Sequence, residues 1–210
     1  PSKIIVVYGY GGEVVREAFA NENITWVKQA EQLGTGHAVQ QAEPFLDANA
    51  LSLVMLGDVP LVDVGACKAL LAQANNKLAI LSFNKADPTG YGRIVRADSG
   101  NVVAIVEHKD ATEAQRNIIE VNTGIMAMPN MHLSKWLSQL TNNNAQGEYY
   151  LTDIVALAVQ QNVEVVAEIT DDEWSVTGIN SKTDLSMIER VYQARVAQSL
   201  LTHGVTLRDP

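Results

Sequence analysis

Apolar and polar residues alternate along this chain in blocks that predict strands and helices in turn. In the first part, short apolar runs predict strands at residues 3–8, 24–27, 51–56 and 78–83. The segments between them carry helical spacing, at residues 13–20, 37–45 and 64–74. An alternating order of strands and helices predicts a parallel sheet covered on both faces.

The second part of the chain has a different pattern. Two short apolar runs, 93–97 and 102–106, flank the turn sequence Asp98-Ser99-Gly100 and predict a hairpin. The remaining segments predict a strand, two helices, a strand and a long helix, at residues 120–128, 132–140, 152–161, 163–169 and 182–202. We therefore expect an α/β fold of Rossmann-like, three-layer type, with a mixed, mostly parallel sheet and a small antiparallel excursion beside it.

The run LVMLGDVPL at residues 53–61 predicts one particular site. A strand that is apolar on both faces usually lies inside a parallel sheet. Gly57 allows a sharp turn and Pro60 ends ladder pairing, so Asp58 is expected at the carboxyl edge, where open α/β sheets bind ligands. Asp58 could hold a divalent cation against a phosphate there, or it could cap the next turn.

Composition limits the classes of partner. The 210 residues carry a net charge of −9, which argues against nucleic acid or an anionic membrane as the main partner but permits a nucleotide. No apolar stretch approaches the length of a membrane span. The single cysteine, Cys67, excludes an internal disulfide framework and suits a reducing cytoplasm; its helical pattern places it in or near the core.

A glycine-containing loop, QLGTGHA at residues 32–38, lies between a predicted strand and a predicted helix. Glycines on both sides of Thr35 let backbone amides approach an anionic ligand, although the sequence is not a Walker loop. The alternative is an ordinary flexible turn. His37 has no acid or metal partner at ligand spacing, so we expect it to be structural.

Three further segments carry candidate polar groups. The loop DPTGYGR at residues 87–93 could form a pocket wall or a tight surface turn. Glu107 lies nearest the end of the strand at 102–106, which makes it the best candidate acceptor for a sugar hydroxyl. Asn122 interrupts an apolar strand and needs a partner from the core or a ligand, because an unsatisfied amide costs roughly 1–3 kcal/mol.

Candidate helix caps occur at two places in the last third of the chain. Thr152 is a candidate N-cap for the helix at 152–161. Asn180 or Ser181 could cap the final long helix. Asn180 could instead offer its amide oxygen to a hard cation.

Seven motifs occur together in a fixed order: LGTGHA, LGDVPL, DPTGYGRI, IVEHKDAT, EVNTGI, LTNNNAQGEYYLTDI and VTGIN. In this order the chain closely resembles the uridylyltransferase domain of bacterial bifunctional N-acetylglucosamine-1-phosphate uridylyltransferase/glucosamine-1-phosphate acetyltransferases. The resemblance implies a GT-A-like nucleotidyltransferase fold. It also implies Mg²⁺-dependent transfer of uridylate from UTP to N-acetylglucosamine 1-phosphate, which yields UDP-N-acetylglucosamine and pyrophosphate. That product implies a cytoplasmic enzyme that supplies peptidoglycan and lipopolysaccharide synthesis.

The resemblance also implies a role for each matching residue. Uracil would be bound by Gln29, Gly34 and Thr35. The ribose and phosphate would be bound by Leu56, Gly57 and Asp58. N-acetylglucosamine would be bound by Gly92, Glu107 and Asn122. Asp58 and Asn180 would be the catalytic pair that ligates Mg²⁺. The attacking phosphate oxygen is already anionic, so such chemistry needs alignment and charge neutralisation rather than a general base.

The chain departs from this family in two respects. The family begins with a strand and a glycine-rich Leu-Ala-Ala-Gly-x-Gly-Thr-Arg-Met loop, neither of which lies within these residues. We therefore expect a domain at 1–204 without that loop, with little turnover of its own. Residues 205–210 would begin a linker to a β-helix acetyltransferase domain that makes the full protein a homotrimer. The second departure is Leu56, where the family often has tyrosine.

Two alternative functions stay open from the sequence. The chain could be another sugar-1-phosphate nucleotidyltransferase. It could also be an inactive fragment that only binds a UDP-sugar.

Overall fold

The computed structural model describes residues 1–208. Eight strands lie in this range, at β1 (Ile5–Tyr8), β2 (Thr25–Lys28), β3 (Leu51–Val54), β4 (Leu78–Asn84), β5 (Arg93–Arg96), β6 (Val102–Val106), β7 (Glu120–Pro129) and β8 (Val165–Ile169). Seven α-helices accompany them, at α1 (Glu13–Ala18), α2 (Thr35–Ala42), α3 (Val64–Gln73), α4 (Glu113–Arg116), α5 (Asn130–Leu137), α6 (Ile154–Gln160) and α7 (Lys182–Thr202). Short 3-10 turns occur at Glu43–Phe45, Leu151–Asp153 and Glu173–Val176.

The predicted order of strands and helices is confirmed, with only small shifts at the ends of the elements. Helix α4 was not predicted, although its start signal was present in the sequence. Thr112 and Gln115 form a capping box, in which the Thr112 hydroxyl accepts from the Gln115 backbone N–H and the Gln115 side chain accepts from the Thr112 N–H.

The main sheet has the strand order β6-β5-β7-β4-β8, and β3 pairs with the distal part of β7. Strands β3, β4, β5 and β8 run in one direction, while β6 and β7 run in the other. Strands β1 and β2 form a separate parallel pair. The mixed, mostly parallel α/β fold is therefore confirmed, but the antiparallel strand β7 lies in the middle of the sheet and not beside it.

Strand β3 is not the fully buried inner strand that its apolar sequence predicts. It pairs antiparallel with β7, and Leu51 is 42% exposed. Among residues 1–208, β7 is its only strand partner, so its second edge is not covered by a ladder. Apolar content alone could not distinguish this environment from a central position. The strand still leads directly into Gly57 and Asp58.

The core lies in two layers, one on each face of the sheet. Alternate residues of β4 point to opposite faces, so Leu78 and Ile80 belong to one cluster and Leu81 and Phe83 to the other. The first cluster contains residues of α5 and α6, including Trp136, whereas α3 contributes to the second. Helices on both faces give the expected three layers.

The position of the single cysteine agrees with its sequence pattern. Cys67 is half-buried on α3, as expected for a near-core residue. Burial, assisted by the charge of Asp63, raises the pKa of its thiol, which disfavours the reactive thiolate. Within residues 1–208, no helix combines the length and apolar character needed to cross a bilayer.

Gly124 provides a test of how closely β7 packs against Leu56. Its φ is +81°, and a Cβ there would lie 2.6 Å from Leu56 Cδ1. Gly100 has a similar φ of +86°, but a Cβ there would meet no atom within 4 Å. We expect Gly100→Ala to cost about 1 kcal/mol of unfolding free energy from backbone strain alone, and Gly124→Ala about 2–4 kcal/mol from strain plus overpacking.

Urea denaturation of both variants measures this difference. Adding Leu56→Ala to Gly124→Ala should remove the part of the lost unfolding free energy that comes from overpacking against Leu56. Equal costs for the two glycine variants would show that the Leu56 contact is not tight.

Candidate functional site

The β5–β6 hairpin brings Gly92 and Glu107 together. A Cβ on Gly92 would lie 3.4 Å from both carboxylate oxygens of Glu107, so the absent side chain leaves room for that carboxylate. The Asn122 backbone N–H donates to the Gly92 carbonyl over 2.9 Å. Three residues that are far apart in the chain therefore form one group at the end of the sheet.

Of the two polar atoms in the Asn122 side chain, one is hydrogen-bonded within its own strand. Its Oδ1 accepts the Gly124 N–H over 3.1 Å. Its Nδ2 donates to no group among residues 1–208, and the residue is only half-buried. The amide nitrogen is therefore available as a donor to a ligand.

Glu107 is a half-buried carboxylate with one fixed donor. The Thr152 hydroxyl donates to Oε1 over 2.9 Å. Burial raises the pKa of Glu107; the Thr152 hydrogen bond opposes this rise, while the charges of Asp153, Asp110 and Glu148 add to it. The group is an oriented acceptor in a partly dry, negatively charged setting.

Thr152 does not cap helix α6, as its sequence position predicted. The helix begins without a side-chain cap, and Thr152 lies buried in the preceding 3-10 turn, where its hydroxyl is used for Glu107. The two residues are 45 positions apart. Because local cap rules cannot register such a distant partner, sequence reasoning missed this site residue.

The glycine loop has a fixed conformation, which argues against the alternative of an ordinary flexible turn. Buried Gln29 donates from Nε2 to the Gly34 carbonyl over 3.1 Å. Gly34 has a φ of +109°, and a Cβ there would lie 2.7 Å from the Tyr149 carbonyl oxygen. The Thr35 hydroxyl accepts the Leu151 N–H over 3.1 Å. The loop is thus held against residues 149–151.

The segment 144–152 connects the glycine loop to the Glu107 group. Asn144 folds it locally, since its Oδ1 accepts the Gln146 and Glu148 N–H groups at 3.2 Å. Asp110 anchors it from the side by accepting from the Ala145 N–H and the Tyr150 hydroxyl. Its end contacts Thr35 through Leu151 and Glu107 through Thr152.

Asp58 and Asn180 meet at a second junction. The Ile179 N–H donates to the Asp58 carbonyl over 2.9 Å and ties their two loops together. A Cβ on Gly178 would lie 3.7 Å from Asp58 Oδ2 and 3.9 Å from Asn180 Nδ2. One point in space is therefore within 4 Å of both side chains, and both are exposed.

The side chains of Asp58 and Asn180 do not serve as helix or turn caps. Ser181 caps α7 by accepting the Asp184 N–H over 3.1 Å, which leaves the Asn180 side chain free. Among residues 1–208, Asp58 accepts a hydrogen bond through its backbone carbonyl but none through its carboxylate. A carboxylate and an amide that can turn its oxygen inward are suitable ligands for a hard cation that keeps several waters, such as Mg²⁺.

Leu56 links this junction to the Glu107 group. Its side chain lies against Gly124, two residues from Asn122, and its backbone leads into Gly57 and Asp58. Gly57 is exposed, and a Cβ there would meet no atom within 4 Å. The ten sequence-predicted residues therefore lie in three groups on connected elements.

Comparison with known proteins identifies the class. Residues 2–187 match the family described as nucleotidyl transferase, and the chain belongs to this family.

More specific relatives are also similar over the whole chain. The bifunctional protein GlmU of Methylobacillus flagellatus is 59% identical over 210 residues, and that of Dechloromonas aromatica is 52% identical. The matches cover 100% of this chain and 45% and 46% of those proteins, so the chain spans about half the length of these relatives.

A solved structure supports the fold. A protein from Bacillus anthracis, assigned as a glucose-1-phosphate thymidylyltransferase and crystallised with sucrose, superposes with a TM-score of 0.67 at 16% identity. The superposition covers 98% of this chain and 78% of that one. At this identity the similarity concerns the fold alone.

The raised pKa of Glu107 predicts a pH-dependent effect on stability. The folded protein holds this proton to higher pH than the unfolded chain, so its stabilising effect is lost as pH rises from the ordinary carboxyl range through the raised pKa. Glutamine cannot ionise and can still accept from Thr152. We therefore expect the stability of Glu107→Gln, relative to the native chain, to increase between about pH 4 and pH 7.

Urea unfolding at both pH values measures this change. Glu22→Gln, at an exposed position, is the matched control and should show no comparable change. A difference for Glu107→Gln that does not vary with pH would contradict the assignment.

Proposed function

We propose that this chain serves uridylyl transfer from UTP to N-acetylglucosamine 1-phosphate, with release of pyrophosphate. The observation that supports it most strongly is the junction of Asp58 and Asn180, joined through Leu56 and Gly124 to the polar group around Glu107. A hard-cation pair beside a sugar-sized set of donors and acceptors is what a sugar-phosphate nucleotidyltransferase requires. The GlmU relatives, at 50–59% identity, support the choice of uracil and N-acetylglucosamine.

In this proposal the glycine loop holds the base. Gln29 presents a side-chain oxygen, and Gly34 and Thr35 offer backbone groups in a conformation fixed by residues 149–151. A polar edge of this kind suits the donors and acceptors of uracil.

The sugar would lie against Gly92, Glu107 and Asn122. The Glu107 carboxylate accepts from a sugar hydroxyl, and the free Asn122 amide nitrogen donates to an acceptor on the sugar. Gly92 has no side chain, which lets the ligand approach the Glu107 carboxylate.

The reaction needs alignment more than proton transfer. An anionic oxygen of the sugar phosphate attacks the α-phosphorus of UTP, a new P–O bond forms, and the bond to pyrophosphate breaks. Asp58 and Asn180 would hold Mg²⁺, which supplies charge neutralisation at the phosphates. No side chain has to remove a proton, because the nucleophile is already ionised.

The wider context follows from the same proposal. The product would be UDP-N-acetylglucosamine, made in the cytoplasm for peptidoglycan and lipopolysaccharide synthesis. The acetyltransferase domain and the homotrimer implied by the family resemblance belong to the remaining length of such relatives.

The metal pair gives the sharpest test. We would place residues 1–210 in the Methylobacillus flagellatus relative, in exchange for the segment they match, and measure pyrophosphate release with UTP, N-acetylglucosamine 1-phosphate and Mg²⁺. Asp58→Asn and Asn180→Ala should each reduce turnover by about 100-fold or more, because charge neutralisation at the transferred phosphoryl is lost. Asp98→Asn, in the exposed hairpin turn, is the control. Native turnover in both metal-site variants would refute the site.

Assays with other ligands distinguish two alternative functions from the proposed one. Glucose 1-phosphate as the better acceptor would indicate a different sugar-1-phosphate nucleotidyltransferase. Calorimetry of UDP-N-acetylglucosamine with the 210-residue chain measures binding without turnover. If the 210-residue chain binds UDP-N-acetylglucosamine and the chimera shows no turnover, the chain is better described as a fragment that only binds a UDP-sugar.

A further inference from the structure

We propose that His37 is a positioning residue that fixes the Gln29 amide so that only its oxygen faces the base, and thereby favours uracil over cytosine. This inference rests on the proposed function, because it assumes that Gln29 contacts the base. It adds a residue that was expected to be merely structural.

Gln29 uses both of its amide N–H groups inside the protein. Its Nε2 lies 3.1 Å from the Gly34 carbonyl oxygen and 3.0 Å from His37 Nδ1. A carbonyl oxygen can only accept, so the atom facing it is the nitrogen. With both N–H groups occupied, only Oε1 remains for a ligand.

The free oxygen of Gln29 is still reachable. Gln29 is only 8% exposed, yet Oε1 accepts no hydrogen bond from residues 1–208 and is not among the fully buried unpartnered atoms there. A buried amide with an unused, accessible oxygen is a preformed acceptor.

The tautomer of His37 follows from its contact with Gln29, and the Gln41 amide on the other side of the ring has to match it. Nδ1 must accept from Gln29, so the proton of the neutral ring lies on Nε2, which faces the Gln41 amide over 3.1 Å. Gln41 Nε2 also lies 3.4 Å from the His37 carbonyl oxygen. This tautomer therefore requires the Gln41 amide to turn its oxygen toward the ring and to give up that contact, which is longer and weaker than the 3.1 Å contact of Gln29 with the Gly34 carbonyl. The imidazole also lies near the Tyr149 ring, with centroids 6.4 Å apart, so it is held from a third side.

A fixed acceptor distinguishes the two pyrimidines. Uracil carries an N–H at its N3 position, whereas cytosine carries an unprotonated acceptor nitrogen there. Gln29 Oε1 would bond uracil but face a lone pair on cytosine, which leaves a buried acceptor without a donor. Without His37, the amide could rotate and present its N–H groups to cytosine.

The experiment compares UDP and CDP binding to the 210-residue chain by calorimetry. His37→Leu removes the acceptor and keeps an apolar side chain of similar size. We expect it to reduce the preference for UDP over CDP by about tenfold, which is the effect of one hydrogen bond. His37→Asn places an amide oxygen near the position of Nδ1 and should restore most of the preference. His132→Leu, which removes a half-buried ring stacked on Trp136, is the control for loss of a histidine.

The outcomes separate the inference from the proposed function. A chimera that releases no pyrophosphate from UTP would contradict the proposed function. If the chimera is active but the native chain does not prefer UDP, the inference about Gln29 and His37 is wrong. If the native chain prefers UDP and His37→Leu keeps the preference, or His37→Asn behaves like His37→Leu, the positioning role is wrong. Nitrogen NMR of the native chain gives a test that needs no variant, since a proton on Nδ1 of His37 would also overturn the proposal.

Discussion

The docking of residues 149–152 onto the glycine loop is the contact on which the whole site depends. The Tyr149 N–H donates to the Leu33 carbonyl over 2.8 Å, and the Gly36 N–H donates to the Tyr149 carbonyl over 2.7 Å. Gly34 and Gly36 have no side chains, which allows two backbones to approach this closely. Leu151 and Thr152 then carry the connection to Thr35 and Glu107, so one short segment sets the distance between the two proposed ligand pockets.

The two ends of the site differ in their electrostatic environment. Burial and the acidic neighbours Asp110, Glu148 and Asp153 disfavour ionisation of Glu107, on a chain that already carries a net charge of −9. Such a setting suits hydroxyl and amide groups but repels phosphates. In the proposed function, the phosphates of a sugar nucleotide would therefore lie near Asp58 and Asn180, where a bound cation would neutralise them.

Much of this arrangement could be predicted from the sequence. Strand and helix periodicity gave nearly every element, and Asp58 was placed correctly at the end of β3. The exposure of β3 and the central position of β7 were not foreseen, because pairing depends on partners remote in sequence. For the same reason Thr152 was taken for a cap, whereas its hydroxyl donates to Glu107 on another element.

The antiparallel strand β7 also has consequences for how the chain folds. It pairs with β3, β4 and β5, and β4 in turn pairs with β8, so the sheet joins residues separated by up to 87 positions. Such non-local pairing is slow, whereas the β5–β6 hairpin closes between near neighbours. During synthesis, the apolar segment Leu51–Val54 must remain unpaired with β7 until residue 129 has been made. During that interval it is an unpaired apolar segment of the kind that is prone to aggregate.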